Sequence, residues 1–321
     1  MKKKLGLLLA AFLVATATLT GCKSNRFVYL EGEKPGTTEQ TVEKKAAKDL
    51  KIGLSLSTLN NPFFVSVRDG AQKEADRVGA KLIISDARDD AATQSNNISD
   101  FIQQGVDIIL VNPVDSDAIS TSVLAANEAG IPVIALDRNS EGGKLLSLVA
   151  SDNVKGGEMA ADYIVEKVGK GAQVAQLEGI PGASATNERG KGFKNVADKD
   201  LKVVTSQSAD FDRAKGLTVM ENIIQANPDI KGVFCQNDEM ALGALEAISN
   251  VGKKDQIVVV GFDGTEGAIA SVKEGKLDAT VAQQPDKIGE LGVKAAVDYF
   301  AGEKIPAKIS SPLKLVTKDN N

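Results

Sequence analysis

VDIILVNPVDSDAISTSVLAANEAGIPVIALDR, residues 106–138, holds an apolar run ending at Asn112, a helical segment, and a second apolar run ending at Asp137. Short runs rich in Val, Ile and Leu separated by a helical pattern form a β-α-β unit, whose two strands lie parallel in one sheet. The unit recurs at residues 232–264, GVFCQNDEMALGALEAISNVGKKDQIVVVGFDG, where the runs end at Asn237 and Asp263. The Asn-to-Asp spacing is 25 residues in the first copy and 26 in the second. Two similar lobes follow, each placing an Asn and an Asp at strand carboxyl ends. In open parallel sheets ligands bind in the crevice beyond those ends, so the lobes are expected to face each other across one cleft.

The same alternation extends outward from Leu50. KIGLSLS (51–57), KLIIS (81–85), AQVAQLE (172–178), LKVVTSQ (201–207) and ATVAQ (279–283) read as further strands. After the first of them, Pro62 suits an opening helical turn, and Phe64, Val67, Ala71, Ala75 and Val78 step by three or four into one apolar stripe. Ile288, Leu291, Ala295 and Tyr299 repeat that spacing. The expected class is α/β, with two similar lobes of parallel sheet flanked by helices, and 321 residues suffice for two domains of ~100–200 each.

Residues 1–21 have a different character. Three lysines precede an uncharged, mostly apolar run of 16 residues from Leu5 to Thr20, short of the ~20 needed to span a bilayer. This pattern is that of a secretory signal peptide. Its end, Leu19-Thr20-Gly21-Cys22, resembles the lipobox of bacterial lipoproteins, in which the cysteine is acylated and becomes the new N-terminus. Residues 22–48 show no sustained period of 2 or 3.6 and are expected to form a lipid-anchored flexible tether. The one other cysteine, Cys235, then has no disulfide partner, so the cores must hold the fold.

Composition excludes several function classes. Lys+Arg 38 against Asp+Glu 43 gives a net charge of −5, and loss of Lys2, Lys3 and Lys4 with the signal peptide takes it to −8. Such a balance offers nucleic acid no concentrated basic surface. The chain has no histidine, which removes Ser-His and Cys-His nucleophile systems and most zinc sites. No Gly-Lys pair is followed by Ser or Thr, and no G-x-G-x-x-G follows a strand, so the usual nucleotide motifs are missing. The run Asp86–Asp90 lacks the glycine and glutamate of a calcium loop and suits helix capping. No metal or cofactor is expected.

The polar residues at strand ends, Asn112, Asp137 with Arg138, Asn237, Asp263 and Gln283, form the candidate site, with Arg189 of SATNERGKGF joining them. Sugar hydroxyls both donate and accept, so amides, carboxylates and guanidinium forks together suit a neutral polyhydroxylated ligand. Asn and Asp also cap helices and open turns, but their matched placement in both lobes favours a shared ligand. Phe63 points off the apolar stripe and could lie against the C–H side of a sugar ring, as could Phe211 in the second lobe. A glycosidase-like pair, Asp137 with Asp263, is disfavoured because Arg138 would hold Asp137 ionised. No catalysis is expected.

At STLNNPFFVSVRDGAQKEAD, NPVDSDA, IPVIALDRN, ASDNVKGGEMA, ERGKGF, ADFDRAKGL, QNDEMALGAL, VVVGFDG and ATVAQQPDKIG, the chain resembles the type I periplasmic binding proteins, and within them the D-ribose receptors of bacterial ABC importers. The resemblance runs over about residues 49–318. It implies two Rossmann-like lobes joined by a three-segment hinge, with crossings near Ser151, Gln284 and Pro312. The N-terminal lobe would be 49–151 with 284–312, and the C-terminal lobe 152–283 with 313–321. It adds Asn61 and Phe64 to Phe63, Asn112, Asp137, Arg138, Arg189, Phe211, Asn237, Asp263 and Gln283 as sugar-contacting residues. It further implies a monomer that closes on D-ribose and delivers it to a membrane permease driven by a cytoplasmic ATPase. The lipobox would hold it on the outer face of the cytoplasmic membrane. Relatives that bind hexoses often stack the sugar on a Trp, and the lack of Trp here fits a pentose; another pentose, allose or a furanosyl signal molecule is the alternative.

Overall fold

Strand and helix alternate along nearly the whole of residues 43–320, which the computed structural model describes. The expected signal peptide, Cys22 and most of the tether lie outside them. The first sheet contains β1 (Lys51–Leu56), β2 (Lys81–Asp86), β3 (Ile108–Val111), β4 (Val133–Leu136) and β5 (Ser147–Ser151). The second contains β6 (Gln173–Glu178), β7 (Lys202–Ser208), β8 (Gly232–Cys235), β9 (Val258–Asp263) and β10 (Ala279–Ala282). Late in the chain β11 (Lys308–Ser311) completes the first sheet and β12 (Lys314–Thr317) the second. The orders, β2-β1-β3-β4-β5-β11 and β7-β6-β8-β9-β10-β12, are equivalent.

Each sheet is covered on both faces. The alternation of side chains along a strand sends Ile108 and Leu110 of β3 to one core and Ile109 and Val111 to another. Helices α1 (Pro62–Val78), α2 (Ala91–Gln103), α3 (Ser120–Glu128) and α9 (Pro285–Ala301) flank the first sheet. Helices α4 (Asn153–Val168), α5 (Ser184–Asp200), α6 (Arg213–Ala226), α7 (Asp238–Asn250) and α8 (Glu266–Lys273) flank the second. The chain passes between sheets after β5, after β10, and between β11 and β12. Pro62 opens α1, and Asp90 caps α2 by accepting from the Thr93 N–H at 2.6 Å.

Three strands escape the sequence reading. β5 is a short run bounded by serines, whereas β11 and β12 are four-residue segments of mixed polarity. β12 also runs antiparallel to β10, so the second sheet is not wholly parallel. Residues 43–48, joined to the tether in the sequence reading, are partly seated on the first lobe. The Lys45 N–H donates to Phe300 O at 3.1 Å, its ammonium pairs with Asp107 at 2.6 Å, and a 3-10 turn follows at Ala47–Asp49. No described helix is long and apolar enough to cross a membrane.

Candidate functional site

The carboxyl ends of the two sheets meet around a narrow cavity. Asn61, Phe63, Phe64, Asp137 and Arg138 line it from the first lobe, and Ala185, Arg189, Phe211, Asn237 and Asp263 from the second. Asn61 and Asn237 reach it as helix caps. Asn61 Oδ1 accepts from the Phe63 N–H and Asn237 Oδ1 from the Met240 N–H, each at 2.9 Å. Capping and lining are therefore one placement, since helices following strand ends start at the cleft. Arg189 lies inside α5, and Phe211 sits in the turn ahead of α6.

Two arginines and two aspartates, each 3–4% exposed, dominate the electrostatics. Arg189 donates from Nε to Asn153 Oδ1 at 2.9 Å and from Nη1 to Gln236 O at 2.6 Å, and Nη1 stands 3.5 Å from Asp263 Oδ1. Arg138 donates to Pro113 O at 2.9 Å, and its Nε is 3.7 Å from Asp137 Oδ2. The Arg138 guanidinium also lies 5.1 Å from the Phe64 ring and 5.2 Å from the Phe211 ring, one ring from each lobe. Burial pushes the Asp137 carboxyl up despite Arg189 and Arg138. Desolvation there acts against the attraction of both arginines. Burial likewise raises Asp263, against the pull of Arg189, and lowers Arg138.

Asp137 Oδ1 and Arg138 Nε are buried without a protein hydrogen-bond partner. Buried polar atoms are rarely left unpaired, and those lining a cavity are available to a polar ligand. Both aspartates also have unusual backbones, φ 64° at Asp137 and 124° at Asp263. Strain of this kind persists where surrounding structure enforces it, and it concentrates at ligand sites.

Asn112 and Gln283 are buried beside this set, and Gln283 Oε1, like Asp137 Oδ1, has no protein hydrogen-bond partner. Asn112 accepts from the Ser57 N–H and donates to Leu136 O, tying together the ends of β1, β3 and β4. Gln283 donates from Nε2 to Asp263 Oδ1 at 3.0 Å. The sequence reading missed Ala185 in the lining, and it missed a latch across the cleft. The Ser116 N–H donates to Gly182 O at 3.1 Å, the Ser184 N–H to Ser116 Oγ at 3.1 Å, and the Asn139 N–H to Ser184 Oγ at 2.8 Å. Ser116 in a turn and Ser184 at the start of α5 carry no pattern that marks such pairing. Among the described residues no cluster of acidic residues or cysteines could hold a metal ion.

The profile of the family described as periplasmic binding protein domain matches residues 52–304. The chain is 61% identical over 271 residues to the ribose import binding protein RbsB of Bacillus subtilis, covering 84% of this chain and 88% of that one. It is 52% identical over 279 residues to RbsB of Salmonella typhimurium, covering 87% and 94%. Among solved structures, a periplasmic solute-binding protein of an ABC transporter from Actinobacillus succinogenes, with bound D-allose, superposes with a TM-score of 0.79 at 35% identity, covering 84% of this chain and 98% of that one. With two equivalent α/β lobes closing around one polar cavity and a family match over most of its length, the chain belongs to the periplasmic binding protein domain family.

Proposed function

We propose that this chain captures D-ribose between its lobes and delivers it to the permease of an ABC importer driven by a cytoplasmic ATPase. The observation that carries this reading is the cavity, where Asp137, Arg138, Arg189 and Asp263 converge between Phe63, Phe64 and Phe211. Similarity to the ribose import binding proteins supports the choice of sugar. Hydrogen bonds to charged groups contribute roughly 1.5–3 kcal/mol each, so a few suffice for the ~8 kcal/mol of micromolar binding. Asp137 and Asp263 serve as hydroxyl partners, and the protein is a solute-binding component of transport, not an enzyme.

Closure is the useful event, since a ligand touching both lobes binds the closed form preferentially and shifts the hinge equilibrium by that difference. In this reading the protein is a monomer, secreted and held by acylated Cys22 on the outer face of the cytoplasmic membrane. It requires no cofactor. Calorimetric titration of the purified chain with D-ribose, arabinose, xylose, galactose, allose and leucine tests the proposal. Saturable one-to-one ribose binding at micromolar or tighter is expected. A second reading, D-allose, is favoured by the similarity to the allose-bound structure, and tight allose binding without ribose binding would select it. For the anchor, Cys22→Ala should move the protein from the membrane fraction to the soluble one.

A further inference from the structure

Asp238 follows Asn237 at the start of α7 and is fully buried, yet it does not line the cavity. Its carboxylate receives donors from two neighbouring chain segments. Oδ2 accepts from the Thr265 N–H at 2.7 Å and from the Thr265 hydroxyl at 3.1 Å. Oδ1 accepts from the Thr280 hydroxyl at 2.7 Å, and Thr280 Oγ1 in turn accepts from the Gly264 N–H at 3.3 Å. Thr265 is the N-cap of α8, and Thr280 lies in β10. The carboxylate therefore ties the start of α7 to the turn Asp263-Gly264-Thr265 and to the next strand.

That turn aims a candidate ligand group. Asp263 holds φ 124° and Gly264 φ 74°, and a side chain at Gly264 would come within 2.4 Å of Ala282 Cβ. A Cβ at Gly261 would meet Asp238 Oδ1 at 2.4 Å, so the strand below is cut back to admit the carboxylate. From this geometry we infer that Asp238 is the positioning residue of the second lobe, holding the strained turn that presents the Asp263 carboxylate to the sugar. The inference rests on the reading of Asp263 as a sugar contact.

Polarity explains why a carboxylate is used. All of Asp238's partners donate, and the carboxylate form it takes as pH rises past about 7 is acceptor only. An amide that keeps its oxygen toward Thr265 turns its NH₂ toward Thr280 Oγ1. The Thr280 oxygen can accept from both that NH₂ and the Gly264 N–H, but its own proton then loses its acceptor, and the clamp on the turn is left with an unsatisfied buried donor.

The test is a double-mutant cycle on the full chain, read by ribose titration, with sugar-free thermal melts alongside. Asp238→Asn should weaken ribose binding by roughly tenfold or more in the parent, within the range of coupling between contacting residues. In the Asp263→Ala background the same change should alter affinity by less than about twofold, because its effect passes through Asp263. An equal loss in both backgrounds, or parent-like affinity in Asp238→Asn, would overturn the inference. Parent-like affinity in Asp263→Ala would overturn the site reading itself and the inference with it, a result distinct from either. Should Asp238→Asn fail to fold, the near-isosteric Thr280→Val removes one arm of the clamp. It should weaken binding several-fold in the parent and leave the Asp263→Ala protein unchanged; equal losses in the two would again overturn the inference.

Discussion

Asp263 is at once strained and buried, with φ 124° and 4% exposure. Its carboxyl is raised well above the ordinary 3.8 by burial, and burial pushes its neighbour Asp238 up to about 7. Between the unfolded and folded values the native protein binds more protons than the unfolded chain, so stability falls as pH rises through that window. Carboxylates lowered by hydrogen bonding, such as Asp90 and Asp210, act in the opposite direction but only below the ordinary carboxylate range. The sugar-free protein should therefore melt at a higher temperature at pH 5 than at pH 7.5, with a smaller difference in Asp238→Asn. A melting temperature that climbs over this interval would contradict the assignment. Asp137 and Asp263 were legible because they end apolar runs at matched spacing. Asp238 was not, since beside Asn237 it reads as an ordinary first-turn acid.

Helix crossings carry the site at the scale of elements. α4 and α5 approach so closely that a Cβ at Gly157 would meet the Arg189 carbonyl oxygen at 2.2 Å. Arg189 takes its aim from this crossing and from Asn153 at the start of α4. Gly157→Ala forces the helices apart, and overpacking of this kind costs about 1–3 kcal/mol. A fall in melting temperature of roughly 2–10 °C is expected, with weaker ribose binding because Arg189 moves. Unchanged affinity in a destabilised Gly157→Ala protein would separate the crossing from the site. The first lobe repeats the device where α1 meets α9, with a Cβ at Gly289 reaching Val67 O at 2.0 Å. Apolar periodicity predicted α1 and α9, but it says nothing of which helix lies against which, because such partners are brought together only by the chain's return to the first lobe.

For the whole molecule, affinity depends on the closed arrangement as well as on contacts to the sugar. The Ser116–Gly182–Ser184–Asn139 latch joins the lobes through hydrogen bonds that include no cavity-lining side chain. Ser116→Ala removes the acceptor of the Ser184 N–H, and a net hydrogen-bond contribution of about 1 kcal/mol corresponds to roughly fivefold weaker ribose binding. Titration reads this loss. Small-angle scattering at subsaturating ribose should show a larger open fraction than in the parent, and identical profiles and affinity would remove the latch from the closure equilibrium.

The sequence by itself determined the α/β class and the two lobes, and it placed Asp137, Arg138, Asn237 and Asp263 at strand ends, because such positions follow directly from hydrophobic periodicity and chain order, whereas Asn61 and Phe64 entered only with the family resemblance. Only the tertiary structure decided the short strands β5, β11 and β12, the clamp at Asp238 and the latch across the cleft. Those features arise from which strand ends and loops become neighbours, and from how far burial outweighs charge, as at Asp137. Neither adjacency nor desolvation is written in local pattern; both come into being when the lobes pack and close.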